Sequence, residues 1–293
     1  MIIDIHTHTF PDLIAERAIG SLSYTSHTIP FTDGTDSGLC ASMAEAGVDR
    51  SVVLSVATSP GQVTTINDSA MRRAREREEK GLIAFAAMHP DFPDWHSELA
   101  RVKAGGLIGV KLHPVYQGAD LDDIRYLRIY DRCAELGLIV ILHAGYDIGF
   151  PGVDRCSPDM ALRALKEMQL FGSFPRSFRF ILAHMGGWGQ WDDVLRLAPE
   201  LIEAGPVLLD TAFSLGRFHP LDDGYWREEE TALMDEEAFL RIIRAYGYRR
   251  ILFGSDSPWS SQSEELRFLH SLPLKGSEKD AILGGNAAEI LGL

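Results

Sequence analysis

Eight short apolar runs, at residues 2–6, 50–56, 82–88, 108–113, 138–143, 178–184, 207–211 and 250–255, alternate with stretches of helical character along this chain. Most of the runs are continuous, not alternating, which is the pattern of parallel strands covered on both faces. Helical candidates lie between most of them, at residues 38–46, 67–79, 95–103, 124–136, 158–171, 191–203 and 236–246. Gly47, Gly105, Gly137 and Gly205 fall just past helix ends, where a left-handed residue is wanted. This βα rhythm predicts an α/β chain folded as a single-domain (β/α)8 TIM barrel over residues 1–293, an architecture that typically needs ~250 residues. Residues 281–293 read as a last helix closing the barrel.

Five of the runs end in residues that can hold a metal ion. The first ends in His6-Thr7-His8, and side chains two apart on a strand point the same way, so both imidazoles project from one side. The others end in Lys111-Leu-His113, His143, His184 and Asp256. A barrel of parallel strands brings such ends together on its C-terminal face, where barrel enzymes build their sites. His6, His8, His143 and Asp256 would then supply three imidazoles and a carboxylate, a Zn2+-type set with a position left open to activate water. Asp256 has a second use, because a carboxylate beside activated water can take its proton. His184 is either a ligand to a second metal or a general acid over the open face. Lys111, a lysine inside a strand, serves either an ion pair or a metal. Asp4 faces the same way as His6 and His8 but lies deeper, which suits a hydrogen bond to an imidazole.

The remaining candidates are weaker. His89 and His113 each precede a proline at a strand end and could cap a turn. His27, His96 and His270 read as structural, and His219 as a residue that could touch substrate. Three connections, residues 9–37, 144–157 and 212–235, exceed the usual two to six residues and are rich in aromatics, so they are expected to form pocket walls and a lid. Arg155, Arg217 and Arg227 within them are candidates for holding an anionic substrate.

The net charge of −14 argues against nucleic acid or an anionic membrane as partner, since both need a basic face. The three cysteines, Cys40, Cys133 and Cys156, are far apart with no CxxC, so neither a disulfide framework nor a thiolate metal site is indicated. These features fit a soluble protein of the reducing cytoplasm that acts on a small molecule. No apolar run approaches the ~20 residues a membrane span needs, and the chain is expected to start at its native Met1.

Ile3-Asp-Ile-His-Thr-His8, Gly109-Val-Lys-Leu-His-Pro114, His143-Ala-Gly145, Ala183-His-Met-Gly-Gly187, Phe253-Gly-Ser-Asp-Ser-Pro258 and Gly284-Gly-Asn-Ala-Ala288 together resemble the amidohydrolase superfamily. More narrowly they resemble the "amidohydrolase 2" branch, which includes aminocarboxymuconate-semialdehyde decarboxylase. The likeness spans residues 2–293, and the ordered set on five strands is specific where His-x-His alone is weak. It implies a (β/α)8 barrel with a divalent ion held by His6, His8, His143 and Asp256; imidazoles with one carboxylate favour Zn2+ before Mn2+, and one ion is expected over two. It also implies that His184 stands beside the activated water without ligating, and that Lys111 occupies the run from which two-metal members take a carboxylated bridge. A homodimer is the branch habit. Some decarboxylases of the branch carry glutamate in place of the first histidine, and this chain has His6 there. On that ground the expected activity is hydrolysis of a small amide, ester or lactone, with nonoxidative decarboxylation or hydration of an unsaturated or aromatic acid as the alternative.

Overall fold

Runs of aliphatic and β-branched residues without internal proline pair as strands because both faces can be buried at once. In the computed structural model every one of the eight runs does so. The structure describes all residues except 171, 173 and 176, and among the described residues there are nine short strands. In chain order they are β1 (Ile3–Thr7), β2 (Arg50–Val53), β3 (Leu82–Ala84), β4 (Ala86–Ala87) and β5 (Gly109–Leu112). β6 (Ile139–Leu142), β7 (Phe180–Leu182), β8 (Val207–Asp210) and β9 (Ile251–Leu252) follow. The third run is split at Phe85. Beyond the break the buried amide of Asn67 takes both backbone groups of Ala87, accepting from its N–H at 2.8 Å and donating to its carbonyl at 3.0 Å.

The chain forms two compact units, one of residues 1–53, 148–151 and 210–293, the other of residues 54–147 and 152–209. In the first unit β1 is flanked on both sides. β2 pairs with it in parallel, Ile3 opposite Arg50 and Asp4 opposite Ser51. On its other side Ile5 N–H donates to Phe253 O at 2.8 Å, Asp256 N–H to His6 O at 2.8 Å and His8 N–H to Ser257 O at 2.7 Å. Thr211 N–H in turn donates to Leu252 O at 3.0 Å. The order β2, β1, β9 and its extension, then the end of β8 therefore puts His6, His8, Asp210 and Asp256 on neighbouring strand ends. The C-terminal Gly284-Gly-Asn motif supports this arrangement: Asn286 donates to the carbonyls of Tyr248 and Ile251 at 2.8 Å each, fixing the entry to β9.

In the second unit β4 to β8 lie side by side in chain order, all parallel. Lys111 sits opposite Ile141, Leu112 opposite Leu142 and Leu142 opposite Leu182. Sheet order that follows chain order is what right-handed βαβ winding produces. One step past the β5 and β6 registers, His113 meets His143.

Some local expectations change. Gly47 and Gly137 do end helices in the left-handed region, at φ 74 and 63, but Gly105 and Gly205 do not. Gly105 still donates its N–H to Arg101 O at 2.9 Å, so the left-handed turn falls one residue later, on Gly106 at φ 88. Gly205 is extended because Pro206 follows it, and proline disfavours the helical region for the residue before it. The helix from Pro158 is described to Leu170, and its expected last residue, 171, lies outside the described residues. The connection 9–37, expected to form pocket wall or lid and given no helix of its own, holds a helix at Asp12–Ser26, whose buried residues Ala15, Ile19, Ser23 and Ser26 recur at the spacing of one helical face.

Candidate functional site

Three ligand-type atoms converge at the end of β1. The Nε2 atoms of His6 and His8 are 3.2 Å apart, and Asp256 Oδ1 is 3.4 Å from the first and 3.1 Å from the second. Donors bound to one tetrahedral centre at about 2.0–2.1 Å lie about 3.3 Å from one another. The triangle thus has the size a divalent transition ion requires, and its donors, two imidazole nitrogens and a carboxylate oxygen, suit Zn2+ or Mn2+. His6 and Asp256 are buried and His8 is partly so, which keeps bulk water from competing for them.

The geometry is held by the backbone. His6 O accepts from Asp256 N–H, so two of the three donors hang from directly bonded strand segments. Asp256 itself has φ 68, a left-handed conformation that costs a non-glycine residue of order 1 kcal/mol or more and persists only where surroundings dictate it. Asp4 does part of that work. Its fully buried carboxylate accepts from the N–H groups of His6 and Ser255, at 3.1 and 3.0 Å, from the Ser255 hydroxyl at 2.5 Å and from Gln262 Nε2 at 2.7 Å. Burial pushes its pKa up to about 6 and these hydrogen bonds pull the other way. Asp4 was expected to bond an imidazole; it ties backbones instead, because a residue two positions before His6 is too deep to reach the ring.

The carboxylate that takes up the Nδ1 side of the His6 ring is Asp210, which the sequence did not single out. Its Oδ2 lies 2.9 Å from His6 Nδ1, and its Oδ1 accepts from Ala212 N–H at 3.1 Å. An aspartate at a strand end carries no local mark of a partner 204 positions away. Its place in the seventh apolar run, immediately after Val207-Leu-Leu209, was the available signal.

In the second unit His143 and His184 come together, with His143 Nδ1 3.0 Å from His184 Nε2. The other ring nitrogen of His143 lies 3.0 Å from the Tyr146 carbonyl, an acceptor only, so Nε2 carries the hydrogen and Nδ1 keeps its lone pair. His184 and Met185 sit at φ 57 and 52, so a second strand end, like that of Asp256, carries left-handed backbone. His113 stacks on His143 with ring centroids 4.2 Å apart, and Asp147 Oδ2 is 3.4 Å from His113 Nε2. Lys111 is buried in β5 on the same strand face as His113. Its charge acts on the Cys156 thiol, whose pKa burial pushes well up.

A family profile described as Amidohydrolase matches residues 3–293. The chain belongs to the amidohydrolase family. Among curated proteins it is 24% identical over 204 residues to the 2-amino-3-carboxymuconate-6-semialdehyde decarboxylase of Dictyostelium discoideum, covering 64% of this chain and 54% of that protein. The match thus spans about half the length of the curated relative. A TIM-barrel protein from Bordetella bronchiseptica superposes with a TM-score of 0.72 at 17% identity, over 99% of this chain and 98% of that one. A 5-carboxyvanillate decarboxylase from Novosphingobium aromaticivorans, crystallised with manganese, gives 0.72 at 14% identity, over 100% and 97%. These likenesses establish the fold as the (β/α)8 TIM barrel of the family.

The other candidates are engaged elsewhere. His89 caps the turn after β4, accepting from Asp91 N–H at 3.1 Å. His113 also accepts, at 3.5 Å, from Tyr116 N–H through Nδ1, so it caps that turn while its Nε2 faces Asp147. His27 pairs with Asp223 at 2.7 Å and stacks on Tyr225, and His219 pairs with Glu264 at 3.0 Å on the surface. Arg155 pairs with Asp120, Arg227 with Glu229 and Glu230, and Arg217 donates to Glu228 O and Thr231 Oγ1. Among the described residues no helix is long and apolar enough to cross a membrane.

Proposed function

We propose that this amidohydrolase-family chain is a metal-dependent nonoxidative decarboxylase of a small unsaturated or aromatic carboxylic acid. The observation that carries the reading is the triangle of His6, His8 and Asp256 at metal-ligand spacing, in a chain whose curated relative and manganese-bearing structural neighbour are both decarboxylases. The case for hydrolysis rested on His6 standing where some decarboxylases carry glutamate, and one position weighs less than these relatives.

In this reading His6, His8 and Asp256 hold one Zn2+ or Mn2+ ion. His143 is proposed as the fourth ligand from its motif alone. The ion when bound supplies Lewis-acid polarisation of the substrate. The rest falls to the chain. Loss of CO2 breaks the bond between the carboxylate and its carbon and requires that a proton be delivered to that carbon. Asp256 is the proposed proton carrier, and His184 the proposed group that stabilises charge as the bond breaks.

The test is to load the purified protein with Mn2+ or Zn2+ and offer aromatic and unsaturated acids, 2,6-dihydroxybenzoate and 5-carboxyvanillate among them, alongside small lactones and amides. Metal-dependent CO2 release, matched mole for mole by the decarboxylated product, is the expected result. Turnover of lactones or amides with no CO2 from any acid would restore hydrolysis as the better reading.

A further inference from the structure

We infer that Asp210 acts as a positioning residue that fixes the tautomer of His6 and thereby makes its Nε2 available to a metal ion. The inference rests on His6 being a ligand, but its central claim, where the ring hydrogen sits, does not require the metal.

His6 is held at both ring nitrogens. Nε2 points into the triangle with His8 and Asp256, and Nδ1 lies 2.9 Å from Asp210 Oδ2. An ionised carboxylate only accepts hydrogen bonds, so the hydrogen between these atoms belongs to Nδ1, which leaves the Nε2 lone pair for the ion. Both side chains are almost completely buried, at 1% and 0% exposure, so water is poorly placed to substitute for either partner.

The neighbouring backbone turns this into a directional device. Asp210 Oδ1 accepts from Ala212 N–H, so the two oxygens of the carboxylate face two different donors. Consider Asp210→Asn, which preserves the shape. The amide oxygen must stay toward Ala212 N–H, because an NH2 there would face another donor. The amide NH2 is then turned to His6 Nδ1 and makes that nitrogen accept. The ring hydrogen must move to Nε2, where it points at the metal position. Asp210→Ala, in contrast, removes the orienting partner without imposing the wrong tautomer.

This gives an order that a purely structural role does not. If Asp210 merely fills space, Asn should be harmless and Ala worse. If it sets the tautomer, metal affinity should fall in the order Asp, Ala, Asn. Replacing such outer partners typically costs ~10–100-fold in metal affinity, and Asn should lie at or beyond the upper end.

Zn2+ affinity would be measured by competition with a chromophoric chelator for the wild type and the Asp210→Ala, Asp210→Asn and His6→Ala variants. In parallel, 15N-edited NMR of the metal-free proteins would locate the His6 ring hydrogen. The expected results are hydrogen on Nδ1 in the wild type, hydrogen on Nε2 alone in Asp210→Asn, and weaker Zn2+ binding by Asn than by Ala. A ring lacking hydrogen on Nδ1 in the wild type overturns the inference. So does hydrogen retained on Nδ1 in Asp210→Asn, or Asn binding Zn2+ as well as Ala does. Should Ala fail to fold, the isosteric Asn variant against wild type still decides through the NMR readout. If His6→Ala leaves Zn2+ affinity unchanged while the tautomer switch is seen, the ligand reading fails and the tautomer claim stands.

Discussion

Gly254 lies directly against His6: a Cβ built on the glycine would stand 3.0 Å from the His6 Cβ, and 3.3 and 3.4 Å from those of Ala212 and Asp210. The glycine is there for space. It lets the extension of β9 run between β1 and the end of β8 closely enough for the Asp210–His6 bond to form.

Gly254→Ala should therefore disturb the site before it disturbs the fold. Overpacking a tight core position by a methyl group costs typically ~1–3 kcal/mol. Here the atoms that must yield belong to His6 and Asp210, so Zn2+ or Mn2+ affinity should drop while the circular dichroism spectrum is retained. Chelator competition together with thermal unfolding checks this, and unchanged metal affinity would show that the methyl group is absorbed elsewhere.

Replacing both His6 and His8 by Ala removes two of the three converging donors. Metal content by elemental analysis should fall from about one divalent ion per chain to near zero. The protein should remain folded but be less stable, since losing His6 leaves the buried Asp210 carboxylate without that donor, and an unsatisfied buried group costs about 1–3 kcal/mol. A double variant that still carries a stoichiometric ion would move the metal centre away from β1.

Glu265 predicts a pH dependence of stability in the metal-free protein. Its side chain is buried, Oε1 accepts from Ser260 Oγ at 2.7 Å, and Oε2 has no hydrogen-bond partner among the described residues. Burial, reinforced by the negative charges of Asp4, Asp256 and Glu264, raises its pKa from 4.5 to about 8. A carboxyl whose pKa is higher folded than unfolded stabilises fully below pH 4.5, and that contribution is lost as pH rises through 8. At 1.36 kcal/mol per pH unit the loss reaches roughly 5 kcal/mol at most. Glu265→Gln, uncharged throughout, should flatten the decline between pH 5 and 9 in urea unfolding. A smaller fall through about pH 6 should remain from Asp4, whose pKa is raised in the same sense. An identical slope in both proteins would mean that Glu265 ionises freely.

The strands were legible because burial on two faces forces continuous apolar runs, and each of the eight runs pairs. Their C-terminal histidines and Asp256 could be picked out because a polar residue closing such a run is conspicuous. Asp210 lies near the end of the 207–211 run, yet its meaning depends on His6 across the fold, a relation no local pattern encodes. The helix at Asp12–Ser26 was missed for the opposite reason. Its exposed face carries Leu13, Ile14 and Tyr24, which blurs the polar and apolar sides that make a helix readable. Asp4 was read on the right face and assigned the wrong partner, since strand alternation gives direction and not reach.

Asp256 is the residue in which metal holding and chemistry are hardest to separate. Its Oδ1 completes the triangle with His6 and His8, and its N–H is bonded to His6 O, so its placement depends on the backbone as much as on the charge. Asp256→Asn keeps the size, the backbone bond and one oxygen donor but removes the ability to carry a proton. The ion should be retained, with reduced affinity, because two imidazoles and an amide oxygen remain. A single proton-transfer group typically contributes ~100- to 10,000-fold to rate. A fall of that size in CO2 release, measured on protein shown by elemental analysis to hold its ion, is the expected outcome. Activity near wild type in the metal-loaded variant would mean that the proton reaches the substrate carbon from another group, and His184 would be the next residue to replace.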